Sequence, residues 1–250
     1  MVTFIAPVLN YGILAPILIV LGGALIGVLV EAFAPRKSRS SSQLFIAVVT
    51  LVIALAALLR TRGVYSTKAA MSSITFDGAG FLLQGSILVI SLIAILLLAD
   101  SDKFAAAPTA VPGSDEERQA QAANIRVTEI YPLTLFAIAG MLLFPVASDL
   151  ITLFVALEVL SLPLYLMAGL SRHRRLASQE AALKYFLLGA FSSAFFLFGS
   201  AYLYGYAGTV SFAGIHAAVV GGTGNDVILL LGIAFVAIGL LFKVGAVPFH

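Results

Sequence analysis

The 250 residues contain no cysteine and no tryptophan, and only 10% are charged. Without cysteine there are no disulfides, no thiolate metal ligands and no cysteine-ligated iron–sulfur cluster. Without tryptophan, an aromatic belt at a membrane surface has to come from the 8 tyrosines and the phenylalanines. The shortage of charge excludes most. Soluble domains carry about 25% charged and about 45–50% apolar residues, whereas 61% of this chain is apolar and its mean hydropathy is +1.08. Its solvent is lipid. The formal net charge of +2 implies no nucleic-acid surface. A Gly-rich phosphate loop, a His pair at metal-binding helical spacing and a Ser/His/Asp arrangement are all missing. No metal site, no bond-making catalytic residue and no nicotinamide, flavin or quinone site is legible.

What is present is a series of apolar runs long enough to cross a bilayer, which takes about 20 residues. Seven spans are expected: 13–33, 44–59, 81–99, 130–146, 150–170, 181–206 and 227–249. The second is the shortest and is expected to extend into the serines before it. The fold class is all-α, a polytopic transmembrane helix bundle. Basic residues set the orientation. With the N-terminus outside, the inner loops hold Arg36, Lys37, Arg39, Lys103, Arg118, Arg126, Arg172, Arg174 and Arg175, and the outer loops hold Arg60, Arg62 and Lys68, nine against three. The basic loop from Arg60 to Asp77 fits this scheme least well. No Lys or Arg precedes the first run, so it reads as a retained helix and not a cleaved signal. The chain stops directly after an apolar run, so the natural protein is expected to continue.

The polar stretch 100–129, with Asp115, Glu116 and Glu117, reads as a mobile cytoplasmic loop that solvates or meets a peripheral partner. It divides residues 1–129, holding three spans, from residues 130–250, holding four. The outer loop 207–226 suits a short surface helix and a Gly linker. Ala147, Ser148 and Asp149 alone join the fourth and fifth spans, which must pack as antiparallel neighbours. Ser148 or Asp149 is the expected N-cap of the fifth span, and Ser178 that of the sixth. Gly22, Gly23 and Gly27 are expected to mark close helix packing, and Gly23 and Gly27 form a G-x-x-x-G.

Against this apolar background, three ionisable residues stand out, because a charge inside a span costs about 2.5–3.5 kcal/mol or more. Glu158 lies roughly 13 Å from the start of its helix at about 1.5 Å per residue, too deep for a carboxylate to reach water. Ser161 and Tyr165 follow on the same face, and Pro163 frees a backbone carbonyl. Glu158 is either a proton carrier or a neutral acid in a structural hydrogen bond. Lys243 follows sixteen residues that are all apolar or Gly, and Gly245 and Pro248 are expected to bend or break its helix. Burial opposes its charge and a nearby acid favours it, which makes such a lysine switchable; otherwise it is a helix-end lysine reaching the interface. Lys184 has Glu180 at i−4, so an intrahelical pair with snorkelling explains it. Alternatively it relays between Glu158 and the inside, with Ser192 and Ser193 higher on its helix. His250 lies two turns beyond Lys243 and is either a proton shuttle or structural. Glu31 is expected at the inner interface, and Asp77, Asp100 and Asp102 at span flanks.

Three runs carry a resemblance. Residues 148–165 (SDLITLFVALEVLSLPLY) look like the fifth helix of the antiporter-like membrane subunits of respiratory complex I, the NADH-quinone oxidoreductase. Residues 180–194 (EAALKYFLLGAFSSA) resemble helix six of subunit N among them. Residues 242–250 (FKVGAVPFH) resemble the broken seventh helix. The resemblance implies the first half of a larger inverted-repeat fold in the plasma membrane. It implies a proton-translocating, non-redox subunit, with flavin, iron–sulfur clusters and quinone in other subunits and with further antiporter-like subunits as partners. It assigns a proton relay to Glu158, Lys184, Lys243 and His250, in which quinone chemistry elsewhere moves the Glu158–Lys243 contact between close and separated states. A multisubunit cation/proton antiporter or a membrane-bound hydrogenase shares the Glu and Lys motifs. A passive scaffold with structurally paired charges is the contrasting class.

Overall fold

Inside lipid the backbone must satisfy its own polar groups, so apolar runs of this length become helices. The computed structural model describes residues 9–64, 67–99, 114–115, 118, 127–170, 175–222 and 224–247. In chain order these form α1 (Tyr11–Phe33), α2 (Arg36–Arg60), a hairpin of β1 (Thr67–Ala69) and β2 (Ile74–Phe76), and α3 (Gly78–Ala99). Then follow α4 (Ile130–Leu143), α5 (Leu150–Gly169), α6 (Arg175–Ala207), α7 (Phe212–Gly221) and α8 (Asp226–Lys243). Six of these are long and apolar enough to cross a membrane. α2 starts at Arg36 and absorbs the serines ahead of the apolar run. α7 is the surface helix expected in the 207–226 loop. Most of the 100–129 stretch, and residues 171–174, lie outside the described residues.

The run expected as the fourth span is not among the six, and it, not the second run, is the shortest, since the second forms a helix of 25 residues. α4 has 14 residues and continues as a 3-10 turn, Phe144–Val146, together about 27 Å long against a hydrocarbon thickness of about 30 Å. It meets little lipid: Leu135, Ile138, Ala139 and Leu142 are each at most 1% exposed. α4 packs between α1 and α5 and joins α1, α2, α3 and the hairpin in one apolar cluster. A second cluster, around Leu150, Leu157, Phe196 and Leu203, joins α5, α6 and α8. Gly140 is the contact between the two. A Cβ there would lie 2.8 Å from Leu160 Cα and 2.9 Å from the Ala156 carbonyl oxygen, so α4 and α5 touch backbone to backbone.

On the face assigned to the outside, the hairpin, the 147–149 link and the start of α7 are sewn together. Ser148 N donates to Ser73 O at 2.9 Å, Leu150 N to Val210 O at 3.1 Å and Phe212 N to Ser148 O at 3.0 Å. Asp149 caps α5: Oδ1 accepts from Thr152 N at 2.7 Å and Oδ2 from Thr152 Oγ1 at 2.9 Å. Asp149→Ala should cost about 1 kcal/mol, read as a lower Tm of the full-length protein in detergent with unchanged helix content.

Two local expectations are corrected. Ser178 does not cap the sixth span, because α6 begins earlier, at Arg175; its hydroxyl donates to the Ala168 carbonyl at 2.6 Å instead. Glu31 does not face the interface. Its carboxylate accepts from Arg39 Nη1 at 3.1 Å, Gln43 Nε2 at 3.0 Å and Thr128 Oγ1 at 2.7 Å. It therefore ties the inner ends of α1, α2 and the approach to α4.

Candidate functional site

Close packing of α5, α6 and α8 builds the site. Glycines set the α6–α8 distance. A Cβ on Gly199 would lie 2.5 Å from Val236 N and 2.7 Å from Gly232 O, and one on Gly239 would lie 3.0 Å from Ser192 O. Ser192 Oγ donates across the same contact to Gly239 O at 2.8 Å. α6 presents two neighbouring faces. Ser192, Phe196 and Gly199 recur at helical spacing toward α8, while Gly189 and Ser193, one turn apart, look toward α5. Gly189 leaves room for the Tyr165 hydroxyl, which a side chain there would overlap.

Glu158, Ser161 and Tyr165 share one face of α5, as their spacing predicts. Lys243 comes to this face from the last turn of α8. Helix side chains lean toward the N-terminus, so the long lysine stem reaches back into the bundle and away from the inner surface. Its Nζ donates to Ser161 Oγ at 2.7 Å and to Tyr165 Oη at 3.2 Å, and lies 3.9 Å from Glu158 Oε1. The Tyr165 ring centroid is 5.8 Å from Nζ, within cation–π range. Ser161 also donates to Leu157 O at 2.6 Å, so its oxygen is turned toward the amine. Ser193 donates to Glu158 Oε1, the oxygen nearest Lys243. The Lys243 and Glu158 side chains are only 15% and 26% exposed. The pair thus lies largely out of solvent, with hydroxyl partners on both the acid and the amine.

The end of α8 fixes where the amine hangs. Gly245 is left-handed at φ 64, Gly245 N donates to Phe242 O at 3.1 Å, and Ala246 N donates to Leu241 O at 3.0 Å. These bonds form a Schellman cap, whose left-handed residue favours glycine. The helix thus ends at Lys243, with Val244 as its C-cap.

The other candidates are placed elsewhere. Lys184 pairs with Glu180 on its own helix, with side chains 68% and 64% exposed, apart from the Glu158–Lys243 cluster. Ser192 serves the α6–α8 contact and does not touch the acid. Pro248 and His250 lie outside the described residues. Ser193 takes the place beside Glu158, one turn from Gly189 on the α6 face toward α5. Ser193→Ala should remove about 1.5–3 kcal/mol of hydrogen bonding if the acid is ionised, and Ser192→Ala about 1 kcal/mol of helix packing. Infrared difference spectra should show the Glu158 carboxyl band moving in the first variant and unchanged in the second.

Comparison with known proteins places this geometry. Residues 147–250 match the transmembrane family described as NADH:quinone oxidoreductase/Mrp antiporter. The chain is 51% identical to NADH-quinone oxidoreductase subunit N of Rhodococcus opacus, over 98% of this chain and 50% of that protein. Among solved structures, respiratory complex I from Thermus thermophilus contains a chain 29% identical with a TM-score of 0.68, covering 94% of this chain and 45% of that one. The Mrp complex from Dietzia sp. shares the fold, with a TM-score of 0.70 at 24% identity. The chain spans about half the length of the curated relatives it matches. The helices that carry Glu158 and Lys243 lie inside the matched segment, and over nearly its whole length this chain is about half-identical to NADH-quinone oxidoreductase subunit N proteins.

Proposed function

We propose that this chain forms part of a proton-translocating subunit of a NADH-quinone oxidoreductase in the plasma membrane. Residues 130–250 carry the relay and residues 1–129 form an N-terminal group of helices beside it. Redox chemistry, with flavin, iron–sulfur clusters and quinone, belongs to other subunits, and the partners are further membrane subunits, antiporter-like ones among them. One observation carries the reading: Lys243 Nζ lies 2.7 Å from Ser161 and 3.9 Å from Glu158 within packed membrane helices.

At that distance, an ionised pair in a protein environment of effective dielectric near 20 interacts by about 4 kcal/mol. Close approach therefore keeps the proton on the amine, and separation of the two groups lets it leave to the next acceptor. Ser161 and Tyr165 guide the amine along this short travel, since each offers an oxygen to it. Lys184 and His250 are the onward stations in this scheme.

The test uses membrane vesicles holding the full-length protein in its complex. NADH should drive an acid gradient that does not depend on sodium, and Glu158→Gln should reduce it about tenfold or more, well within the energy of the contact. An unchanged gradient in that variant would leave a scaffold role. The shared fold of the Mrp complex keeps one other reading in view: sodium efflux without NADH would make this an antiporter subunit.

A further inference from the structure

α1 and α2 are antiparallel neighbours. Toward the inner end they touch. A Cβ on Gly23 would overlap Thr50, and one on Gly27 would lie 3.1 Å from Gln43 Oε1. Toward the outer end, Pro16 interrupts the hydrogen-bond ladder of α1, which bends a helix. There a groove of about 700 Å³ opens, walled by residues such as Gly12, Ile19, Val52 and Ala56, with Asn10 and Arg60 at its mouth.

We infer that this groove holds an acyl chain of an anionic phospholipid of the outer leaflet, with the phosphate at Arg60. Its depth fits one leaflet. From Arg60 to Val52 is eight residues, roughly 12 Å along a helix, close to half of a hydrocarbon core about 30 Å thick. Its chemistry also changes at the right level, from apolar side chains inside to Arg60 and Asn10 at the rim. Arg60 is exposed and, among the described residues, has no carboxylate within ion-pair distance. Asn10 precedes α1 without making a side-chain capping bond, so its amide N–H groups are available to a phosphate oxygen. A lipid phosphate also accounts for the loop that breaks the charge bias, since Arg60, Arg62 and Lys68 are the basic residues on the outer side. The inference depends on the span assignment and not on the relay.

The experiment takes the full-length protein in its native complex, placed in nanodiscs with equal phosphatidylglycerol and phosphatidylcholine, and measures retained lipid by native mass spectrometry after delipidation. An aliphatic diazirine residue of similar size in place of Ile53, which lines the groove, reports what occupies it. Phosphatidylglycerol should be retained preferentially, and Arg60→Ala should cut that preference about fivefold, the effect of one basic residue at an anionic lipid surface. Ala56→Trp, which fills the groove, should expel the lipid, and the probe should label lipid. Equal retention in the unmodified protein and both variants would overturn the inference, as would a cross-link into a protein helix.

Discussion

Lys243→Met is expected to abolish proton translocation while the protein still folds and inserts. Methionine keeps most of the stem's length and apolar contact but has no proton to give. Ser161 and Tyr165 then face a thioether in place of an amine that now lies 2.7 and 3.2 Å from them. With no titratable group left at this position, NADH-driven acidification falls to background. Lys243→Arg separates relay from scaffold. Arginine keeps the positive charge and can pair with Glu158, but it does not deprotonate in proteins. A lysine serving only as a charge partner would be replaced well by it. A lysine that passes a proton would not, so Lys243→Arg should assemble normally and pump poorly. Normal pumping by this variant would end the relay reading.

The second large effect concerns stability. Gly140→Ala adds a single methyl group, yet it should destabilise the protein by about 1–3 kcal/mol, the usual cost of overpacking. The methyl carbon would sit 2.8 Å from Leu160 Cα and 2.9 Å from Ala156 O. Both are backbone atoms, so relief requires α4 and α5 to separate, and α5 carries Glu158. Gly22→Ala is the matched control. Nothing lies within 4 Å of its Cβ position, and alanine favours a helix interior over glycine by about 1 kcal/mol. Thermal unfolding in one detergent should show Tm falling for the first and level or raised for the second. Equal shifts would mean that the α4–α5 contact is looser than described.

These glycines show where sequence reading stops. Spans, their order and the polar face of α5 were legible because bilayer thickness and helical period act on every residue alike. Gly22 and Gly23 are adjacent and look equivalent, yet one faces open space and the other is pressed against Thr50. Only the partner helix distinguishes them. Ser192 and Ser193 pose the same problem: neighbours about 100° apart on a helix, one serving α8 and the other Glu158. The outer hairpin escaped notice because its turn, Ala70–Ser72, takes positive φ at three residues without glycine or asparagine to announce it. Glu31 resembled any acid at a helix end, since its partners Arg39, Gln43 and Thr128 come from α2 and from beyond α3.

The two members of the central pair are tethered unequally. The top of α5 is bolted by the hydrogen bonds at Ser148 and Leu150 and by the Asp149 cap, so the helix that carries Glu158 is tied to its neighbours at its start. Lys243 rides the tip of α8, just ahead of a glycine that ends the coil. In the proposed relay the acid is therefore the fixed member of the pair and the amine, on a long stem at a helix end, the one free to travel.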